Sequence, residues 1–446
     1  MTNTSAAVTL KPVIEPIDPG QRLEAVDMVR GFALLGVLLV NMYNFGAAWP
    51  IWTAPIDQLA FSVMRFFFET KSWRLFSMLF AFGFSLQLLR AEQREVRFLP
   101  VYLRRLTILF LMGMGHALFY NGDILMYYAE LGLILVAFRK LPPRVLLILA
   151  MVLLMVFPVG RAVSTLTREP EIKASTPELD LEKALEKIEE KRRTHPYSVG
   201  SIREVWAVNA DSIPPNPLDY PLDAESSFAF FAMFLLGLYV GRRRILHDIQ
   251  KHRVLIQRVC GWGLGFGVFA MTCERILHLT TGYEVFDEHQ ATALAQFAGD
   301  LLFAFGSTAL SLGYAAAITL LSQCKSWRRI ISPLGAVGRL ALTVYLTQTL
   351  MFTTLFYGYG FGQVFRIGPA AVTAYAVLFF TIQIAACAWW VRHFRFGPME
   401  WLWRSLTYRK LQPMRMRTKE VYSSGEENNS GLVEEKPEKK DREPKP

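Results

Sequence analysis

The chain contains the stretch Arg22-Leu-Glu-Ala-Val-Asp-Met-Val-Arg-Gly-Phe-Ala-Leu-Leu-Gly-Val-Leu-Leu-Val-Asn41, an apolar run of membrane-spanning length that follows two charges and ends at an amide. Asp27 and Arg30 lie one helical turn apart at its start. Asn41 lies about 16 Å beyond Arg30 on a helix that rises 1.5 Å per residue. Charged and amide groups are costly in a bilayer, and membrane proteins keep them mainly for function. The stretch therefore predicts a transmembrane helix built around a site.

The composition indicates a polytopic membrane protein. Of the 446 residues, 52% are hydrophobic and only 19% are charged, against about 25% charged in soluble proteins. The formal net charge of +10 is expected because Lys and Arg collect on the cytoplasmic side of membrane proteins. No nucleic acid is needed to explain this charge, so the expected partner is the lipid bilayer.

Hydropathy in windows of about 20 residues predicts about ten transmembrane helices and thus an all-α fold. The predicted spans are residues 30–48, 73–90, 105–120, 124–139, 144–162, 226–241, 254–276, 296–322, 335–357 and 370–392. They divide into a first membrane half, residues 30–162, and a second half, residues 226–408, which also includes an interfacial segment.

The connections between these spans indicate the orientation of the chain. Those at 90–105 and 242–258 are rich in Arg and Lys, whereas those at 121–123 and 277–294 contain neither residue. Because positive connections stay in the cytoplasm, the alternation predicts that both termini are cytoplasmic.

Three segments lie outside the two membrane halves. Residues 163–225 are expected outside the cytoplasm, and Leu185 and Ile188 within them recur at helical spacing among Glu and Lys, which predicts an amphipathic surface helix. This loop is either a solvated cap or a lid over an external substrate entrance. Residues 1–29 are predicted to be a cytoplasmic segment. The mixed Lys, Glu, Pro and Ser composition of residues 409–446 predicts a disordered cytoplasmic tail.

The cysteines and histidines do not favour a metal enzyme. The four cysteines form no close pair in the sequence, and no two of the seven histidines lie three or four residues apart on a span. The chain also lacks a Walker loop and a dinucleotide-binding fingerprint after a strand. We therefore expect no metal cofactor and no transport driven by ATP.

His116 is the candidate for chemistry inside the membrane. It lies well inside the third span, and Gly113 and Gly115 allow another helix to approach it. A buried neutral imidazole beside a carboxylate suits a general base, and Asp123 in the following turn is placed to orient it. Two structural alternatives stay open: His116 makes an interhelical hydrogen bond, and Asp123 stabilises the turn.

Charged residues at other depths suggest one ligand site and one structural contact. Arg30, Arg104, Arg105 and Arg339 lie at predicted cytoplasmic ends and together suit a phosphorylated ligand. Each arginine alone also fits the positive-inside rule. Near the opposite face, Arg275 is predicted to offset the burial of Asp300 by an ion pair.

Five motifs in order over nearly the whole chain resemble the YeiB-like family of bacterial membrane proteins, which carries the domain of unknown function numbered 418. The motifs are Asp27-Met-Val-Arg30 with the span to Asn41, Leu75-Phe-Ser-Met-Leu-Phe-Ala-Phe-Gly83, Gly115-His116 through Asn121-Gly-Asp-Ile-Leu125, Gly338-Arg339-Leu-Ala-Leu-Thr-Val-Tyr345 and Gly397-Pro-Met-Glu-Trp-Leu-Trp-Arg404. The resemblance implies a multi-pass protein of the bacterial inner membrane.

The first helix also resembles that of the transmembrane acyltransferase superfamily, which includes the lysosomal heparan glucosaminide acetyltransferase and bacterial sugar O-acyltransferases. Asp27 and Arg30 match the shared first-helix motif, whereas Asn41 stands where the sugar O-acyltransferases tend to have a histidine. The resemblance implies acyl-CoA or acetyl-CoA as a cytoplasmic donor. The acceptor would be a hydroxyl or amine of an extracytoplasmic or membrane sugar, glycan or lipid, and His116 would replace the missing base.

This function assigns roles to two groups of residues. The residues expected to bind the donor are Asp27, Arg30, Arg104, Arg105 and Arg339. The residues expected to act in catalysis are His116, Asp123, Asn41 and Tyr128. Asn41 or Tyr128 would stabilise the oxyanion, and His116 would act as a base or carry the acyl group. A transporter or exporter of a small amphipathic solute, and a non-enzymatic scaffold, are the alternatives; a homo-oligomer is compatible with each.

Overall fold

The computed structural model describes residues 23–46, 52–95, 98–167, 181–213, 224–281 and 292–416. In these ranges the secondary structure is helical apart from one isolated bridge between Phe394 and Arg415. The predicted all-α class is confirmed. Residues 409–416 of the predicted disordered tail are described and contact the chain, with the Met414 carbonyl accepting from the Arg395 N–H at 2.9 Å. The rest of the predicted tail, and the N-terminal segment up to residue 22, lie outside the described residues.

Sixteen helices occur in the described part of the chain. They are α1 (Glu24–Gly46), α2 (Pro55–Phe67), α3 (Lys71–Gln93), α4 (Phe98–Ala117), α5 (Leu125–Phe138), α6 (Pro143–Thr167), α7 (Leu181–Thr194), α8 (Pro196–Val199), α9 (Ile202–Asp211), α10 (Ala224–Arg242), α11 (Arg253–Thr281), α12 (Ala293–Ser322), α13 (Lys325–Arg339), α14 (Ala341–Phe356), α15 (Pro369–His393) and α16 (Pro398–Tyr408). The spacing of Leu185 and Ile188 thus corresponds to α7.

Seven helical stretches among the described residues are long and apolar enough to cross a membrane: α1, α2 with α3, α4, α6, α11, α12 and α15. The pair α13 and α14 passes the same test together, but it bends by 83°, and α5 and α10 are shorter apolar helices. Every predicted span overlaps one of these elements. A multi-pass membrane protein is therefore the architecture, while the count of ten spans and the orientation stay predictions.

The first helix lies at the centre of the fold because it packs on most of its sides. Its residues Met28, Ala33 and Val37 are fully buried. At its crossing with α13 two glycines bring the backbones together: a Cβ at Gly31 would overlap the Leu334 carbonyl, and one at Gly338 would overlap the backbone of α1. This close crossing places the charged start of α1 beside the end of α13.

The predicted single span at 335–357 is broken. Helix α13 ends at Arg339 and α14 begins at Ala341, with Leu340 between them at φ −108° and ψ 28°. The break exposes the N-terminus of α14, whose first backbone N–H groups have no partner within the helix. Another part of the chain therefore has to satisfy them.

A buried polar group joins α3, α6 and α12. Arg161 of α6 forms an ion pair with Asp300 of α12 at 3.1 Å. Arg74 of α3 donates to the Ala304 carbonyl at 2.7 Å and to nearby hydroxyls of α12. The predicted partner Arg275 was wrong, because it lies on an exposed face of α11, whereas Arg161 is buried against Asp300.

Helices α8 and α9 form a cover, residues 196–211, over one end of the helical bundle. Asn209 donates from its amide to the Leu118 carbonyl at 2.8 Å. The ring of Tyr197 stacks on Tyr357 with centroids 4.7 Å apart, and the Tyr197 carbonyl accepts from Gly358 at 2.9 Å. The cover therefore lies on the ends of α4 and α14, next to the end of α4 that carries His116.

Candidate functional site

His116, in the last turn of α4, is held by Asp123 in a buried contact. Its Nδ1 lies 2.6 Å from Asp123 Oδ1, and the other carboxylate oxygen accepts from the backbone N–H of Met126 at 2.8 Å. An ionised carboxylate only accepts hydrogen bonds, so Nδ1 carries the proton and Nε2 is left to accept. Asp123 thus makes the contacts that both predicted roles require, because one oxygen bonds to the start of α5 and the other to His116.

The second ring nitrogen of His116 faces Thr349 of α14. Nε2 lies 2.8 Å from Thr349 Oγ1, and Thr349 is 2% exposed. With Nδ1 protonated, the Thr349 hydroxyl donates to Nε2. The three side chains form the order carboxylate, imidazole, hydroxyl that activates a nucleophile in other enzymes.

Thr349 was missed in the sequence analysis, since a threonine in an apolar helix usually bonds to its own backbone. The one available signal was the density of polar residues in this stretch, where Thr343, Thr347 and Gln348 precede Thr349. A helix that faces lipid carries few polar side chains, so this density indicates that one face of the helix contacts other polar groups of the protein.

Of the two glycines beside His116, Gly113 makes the close approach. A Cβ at Gly113 would lie 2.7 Å from the Met126 nitrogen and 2.8 Å from Asp123 Oδ2. A Cβ at Gly115 would meet nothing within 4 Å. Gly113 therefore lets the first turn of α5 bring Asp123 onto the imidazole.

A cavity of about 250 Å³ lies between α1, α3, α4, α5, α13, α14 and α16. Five arginines line it: Arg30, Arg90, Arg105, Arg339 and Arg404. Its other walls are largely aliphatic and aromatic, and they include Tyr128 and Tyr345. The Tyr345 ring also packs against the His116 ring, with centroids 4.9 Å apart. Tyr345 is therefore the shared wall between the cavity and the imidazole.

Four of the five residues predicted to bind a donor line this cavity. Asp27 and Arg30 form an ion pair at 2.8 Å, and Arg105 lies over the Trp403 ring at 3.8 Å from its centroid. Arg339 lines the cavity too. The fifth, Arg104, lies apart from the cavity lining and donates to the Thr407 carbonyl at 2.9 Å. Two lining arginines were not predicted: Arg90 and Arg404.

The other two residues predicted to act in catalysis lie near the site in different ways. Asn41 is buried, and its side-chain oxygen accepts from Tyr120 at 3.4 Å, whose ring is 6.2 Å from that of His116. Tyr128 lines the cavity, but its hydroxyl donates to the Trp73 carbonyl at 3.1 Å. The hydroxyl proton of Tyr128 is thus hydrogen-bonded to a backbone carbonyl in this structure and does not point to an oxyanion.

Glu400 of α16 satisfies the broken start of α14. One carboxylate oxygen accepts from the backbone N–H groups of Leu342 at 2.7 Å and Thr343 at 3.2 Å, and the other accepts from the Thr343 hydroxyl at 2.5 Å. Burial raises the pKa of the Glu400 carboxyl, while these hydrogen bonds act in the opposite direction. Glu400 therefore fixes α14, the helix that carries Tyr345 and Thr349.

The residues able to hold a ligand are thus the cavity arginines, which suit phosphate groups. Within the described ranges, His, Cys, Asp and Glu side chains form no group of three or more suited to a metal ion.

Comparison with known proteins places the chain among uncharacterised relatives. The family described as "Protein of unknown function (DUF418)" matches residues 240–410. "Uncharacterized protein YxaH" of Bacillus subtilis (strain 168) is 31% identical over 435 residues, which cover 91% of this chain and 99% of that protein. "Uncharacterized protein YeiB" of Escherichia coli (strain K12) is 29% identical over 413 residues, which cover 89% and 99%. No solved structure matches significantly. The chain belongs to the YeiB-like DUF418 family of membrane proteins.

Proposed function

We propose that this protein is a membrane-embedded acyltransferase that moves an acyl group from cytoplasmic acyl-CoA to a hydroxyl or amine of an extracytoplasmic or membrane acceptor. The observation that carries the proposal is the buried order Asp123, His116, Thr349 next to a cavity lined by arginines. The first helix motif, Asp27 and Arg30, belongs to the same cavity.

The cavity supplies the two kinds of contact that acyl-CoA needs. Its arginines bind phosphate groups through charge-assisted hydrogen bonds, and its aliphatic and aromatic walls take the acyl chain. Of the two carboxylates in the lining, Asp27 is paired with Arg30, and Glu400 bonds the start of α14. A net positive field therefore remains for an anionic donor.

His116 supplies the acid–base chemistry of the proposed reaction. Nε2 takes the proton of the attacking hydroxyl or amine, and Asp123 stabilises the imidazolium that forms. The proton then passes to the CoA thiolate as the carbon–sulfur bond breaks. A base positioned in this way contributes about 10²- to 10⁴-fold to a rate.

The test uses purified full-length protein in liposomes with acetyl-CoA as the donor. Glucosamine is the acceptor that offers hydroxyls and an amine, and phosphatidylethanolamine is the lipid acceptor that offers an amine. Release of free CoA is measured with a thiol reagent, and acetyl-CoA binding by isothermal calorimetry. His116→Ala is expected to lower CoA release at least about 100-fold with binding retained. The control is His393→Ala, an exposed histidine that bonds to the Trp389 carbonyl.

Full activity of His116→Ala at an unchanged melting temperature would sink the assignment of His116. Wild-type protein that neither binds nor turns over acetyl-CoA would instead favour a transporter of an amphipathic solute, for which the same charged cavity would be a pathway.

A further inference from the structure

We infer that Thr349 is the nucleophile that carries the acyl group between donor and acceptor as an oxygen ester, so that transfer takes two chemical steps. This inference rests on the proposed acyltransferase function and names the group that reacts within its site.

The hydroxyl of Thr349 differs from the other threonine hydroxyls of α14 beyond its first turn, where Thr343 donates to Glu400. Thr347, Thr353 and Thr354 donate to carbonyls three or four residues earlier, at 2.7 to 3.2 Å. This is the usual bond of a threonine within a helix. Thr349 instead directs its hydroxyl to His116 Nε2 at 2.8 Å. A hydroxyl whose proton faces a base in this way is positioned to become a nucleophile.

Asp123 makes that base effective. Because its carboxylate accepts from His116 Nδ1 at 2.6 Å, the lone pair of Nε2 points at the Thr349 hydroxyl. A second bond, from the Met126 backbone N–H, keeps the carboxylate in place. All three side chains are at most 5% exposed, so water competes little for the activated oxygen.

Tyr345 connects the nucleophile to the donor cavity. It lies one helical turn before Thr349 on α14, and residues four apart on a helix have Cβ atoms about 5 to 6 Å apart. Its ring lines the cavity and packs on His116. Tyr345 is therefore the side chain between the cavity and the His116–Thr349 pair, where the thioester carbonyl has to arrive.

The cover formed by residues 196–211 gives a reason for two steps. It contacts the ends of α4 and α14 through Asn209 and Tyr197, on the His116 side of the bundle. Of the cavity arginines, Arg30 lies near the start of α1, and Arg105 lies on the same helix as His116, about 16 Å of helical rise from it. Donor and acceptor thus approach from opposite sides. A covalent intermediate allows CoA to leave before the acceptor arrives.

The steps balance without a further reactant. In the first, Thr349 Oγ1 attacks the thioester carbonyl carbon as its proton moves to Nε2; the carbon–sulfur bond then breaks, and the thiolate takes that proton and leaves as CoA. In the second, the acceptor gives its proton to Nε2 and attacks the threonyl ester. The Thr349 oxygen leaves and recovers the proton.

The experiment incubates purified full-length protein with radiolabelled acetyl-CoA in the absence of acceptor. After denaturation at neutral pH, the label is located by proteolysis and mass spectrometry. We expect a burst of about one CoA per chain and label on the Thr349 peptide, since an oxygen ester is stable at neutral pH whereas an acyl-imidazole hydrolyses. Thr349→Val is expected to lose both burst and label, and Thr349→Ser to retain both.

The matched control is Thr353→Val, since Thr353 is 1% exposed on the same helix and donates to the Leu350 carbonyl. It should keep burst and label. Full turnover by Thr349→Val, with His116→Ala inactive, would overturn the inference and leave the proposed function standing, because transfer would then be direct. A CoA burst whose label is lost on denaturation at neutral pH would overturn it too, because an acyl-imidazole hydrolyses there and an oxygen ester does not. Absence of any acetyl-CoA turnover by wild-type protein would remove both.

Discussion

Two groups of polar side chains are buried among the helices: the His116 group, which is His116 with Asp123 and Thr349, and the Arg161 group, which is Arg161 with Asp300. They differ in their partners and in whether they lie next to the arginine cavity. In the first, Asp123 and Thr349 hold the two nitrogens of an imidazole. In the second, Arg161 pairs with Asp300 across two helices. Neither Arg161 nor Asp300 lines the arginine cavity, whereas the Tyr345 ring joins that cavity to His116.

The comparison teaches how to separate a structural polar group from a reactive one inside a membrane. Burial and pairing are common to both groups, because an unpaired polar group in a low-dielectric interior is costly. The His116 group has two further properties: a hydroxyl hydrogen-bonded to a ring nitrogen of the imidazole, and a neighbouring cavity. These two properties are what the following substitutions test.

Asp123→Asn should have the largest effect. The amide can present a donor to Nδ1, which favours the wrong tautomer of His116 and removes the stabilisation of the imidazolium. We expect CoA release from acetyl-CoA to fall about 10²- to 10⁴-fold with little change in melting temperature. If Asp123→Asn lost stability but kept its rate per folded molecule, the His116 group would have a structural role only, as the Arg161 group does.

Asp300→Ala should act on stability instead. Removal of the carboxylate leaves the Arg161 charge buried without its ion-pair partner, which costs about 3–5 kcal/mol. The measurement is equilibrium unfolding in mixed micelles, with the CoA release of the folded fraction expected within about twofold of wild type. Arg275→Ala is the control, because Arg275 is exposed and should change stability by about 0.5 kcal/mol or less. Loss of activity without loss of stability in Asp300→Ala would contradict the structural role.

Arg339→Gln should raise the KM for acetyl-CoA. A hydrogen bond to a charged group contributes about 1.5–3 kcal/mol, so we expect a rise of about 10-fold or more with a smaller change in kcat. Arg104→Gln is matched in chemistry, but Arg104 does not line the cavity and donates to the Thr407 carbonyl. Equal KM values for the two variants would show that the cavity arginines do not bind the donor.

Gly113→Ala should have the smallest effect of the series, and Gly115→Ala, two residues away on the same helix, should have none. An added methyl at Gly113 overlaps the first turn of α5 and Asp123, which should lower the free energy of unfolding by about 1–3 kcal/mol. Because the Asp123 carboxylate is displaced, activity should fall as well. A methyl added at Gly115 meets no atom within 4 Å. Thermal unfolding and CoA release should therefore change in Gly113→Ala alone, and equal behaviour would argue against this close approach.

The sequence predicts those parts of the site that are close in the chain. Asp123 follows His116 by seven residues through one turn, so their contact follows from helix geometry and a short connection. Thr349 lies 233 positions from His116, and only the packing of α14 on α4 brings them together. The same limit explains Arg275, since depth in the membrane was predicted for it but the direction of its side chain was not.

Hydropathy predicted the all-α class of the fold, but it did not predict the break between α13 and α14. Apolar residues precede the break at positions 336–337 and follow it at 341–342, and Leu340 itself is neither proline nor glycine. The break is satisfied by Glu400, sixty positions further along the chain. Hydropathy reports whether a segment prefers lipid, and it does not report where a carboxylate from another helix replaces the bonds within the segment.

Glu400 also determines what kind of anion recognition the cavity can use. The N-terminus of a helix carries a partial positive charge and free N–H groups that commonly bind phosphate. In this protein the carboxylate of Glu400 already occupies that position at α14. An anionic ligand in the proposed donor cavity would therefore be bound by guanidinium groups on separate helices. Its affinity would then depend on how those helices are arranged relative to one another, and not on the dipole of a single helix.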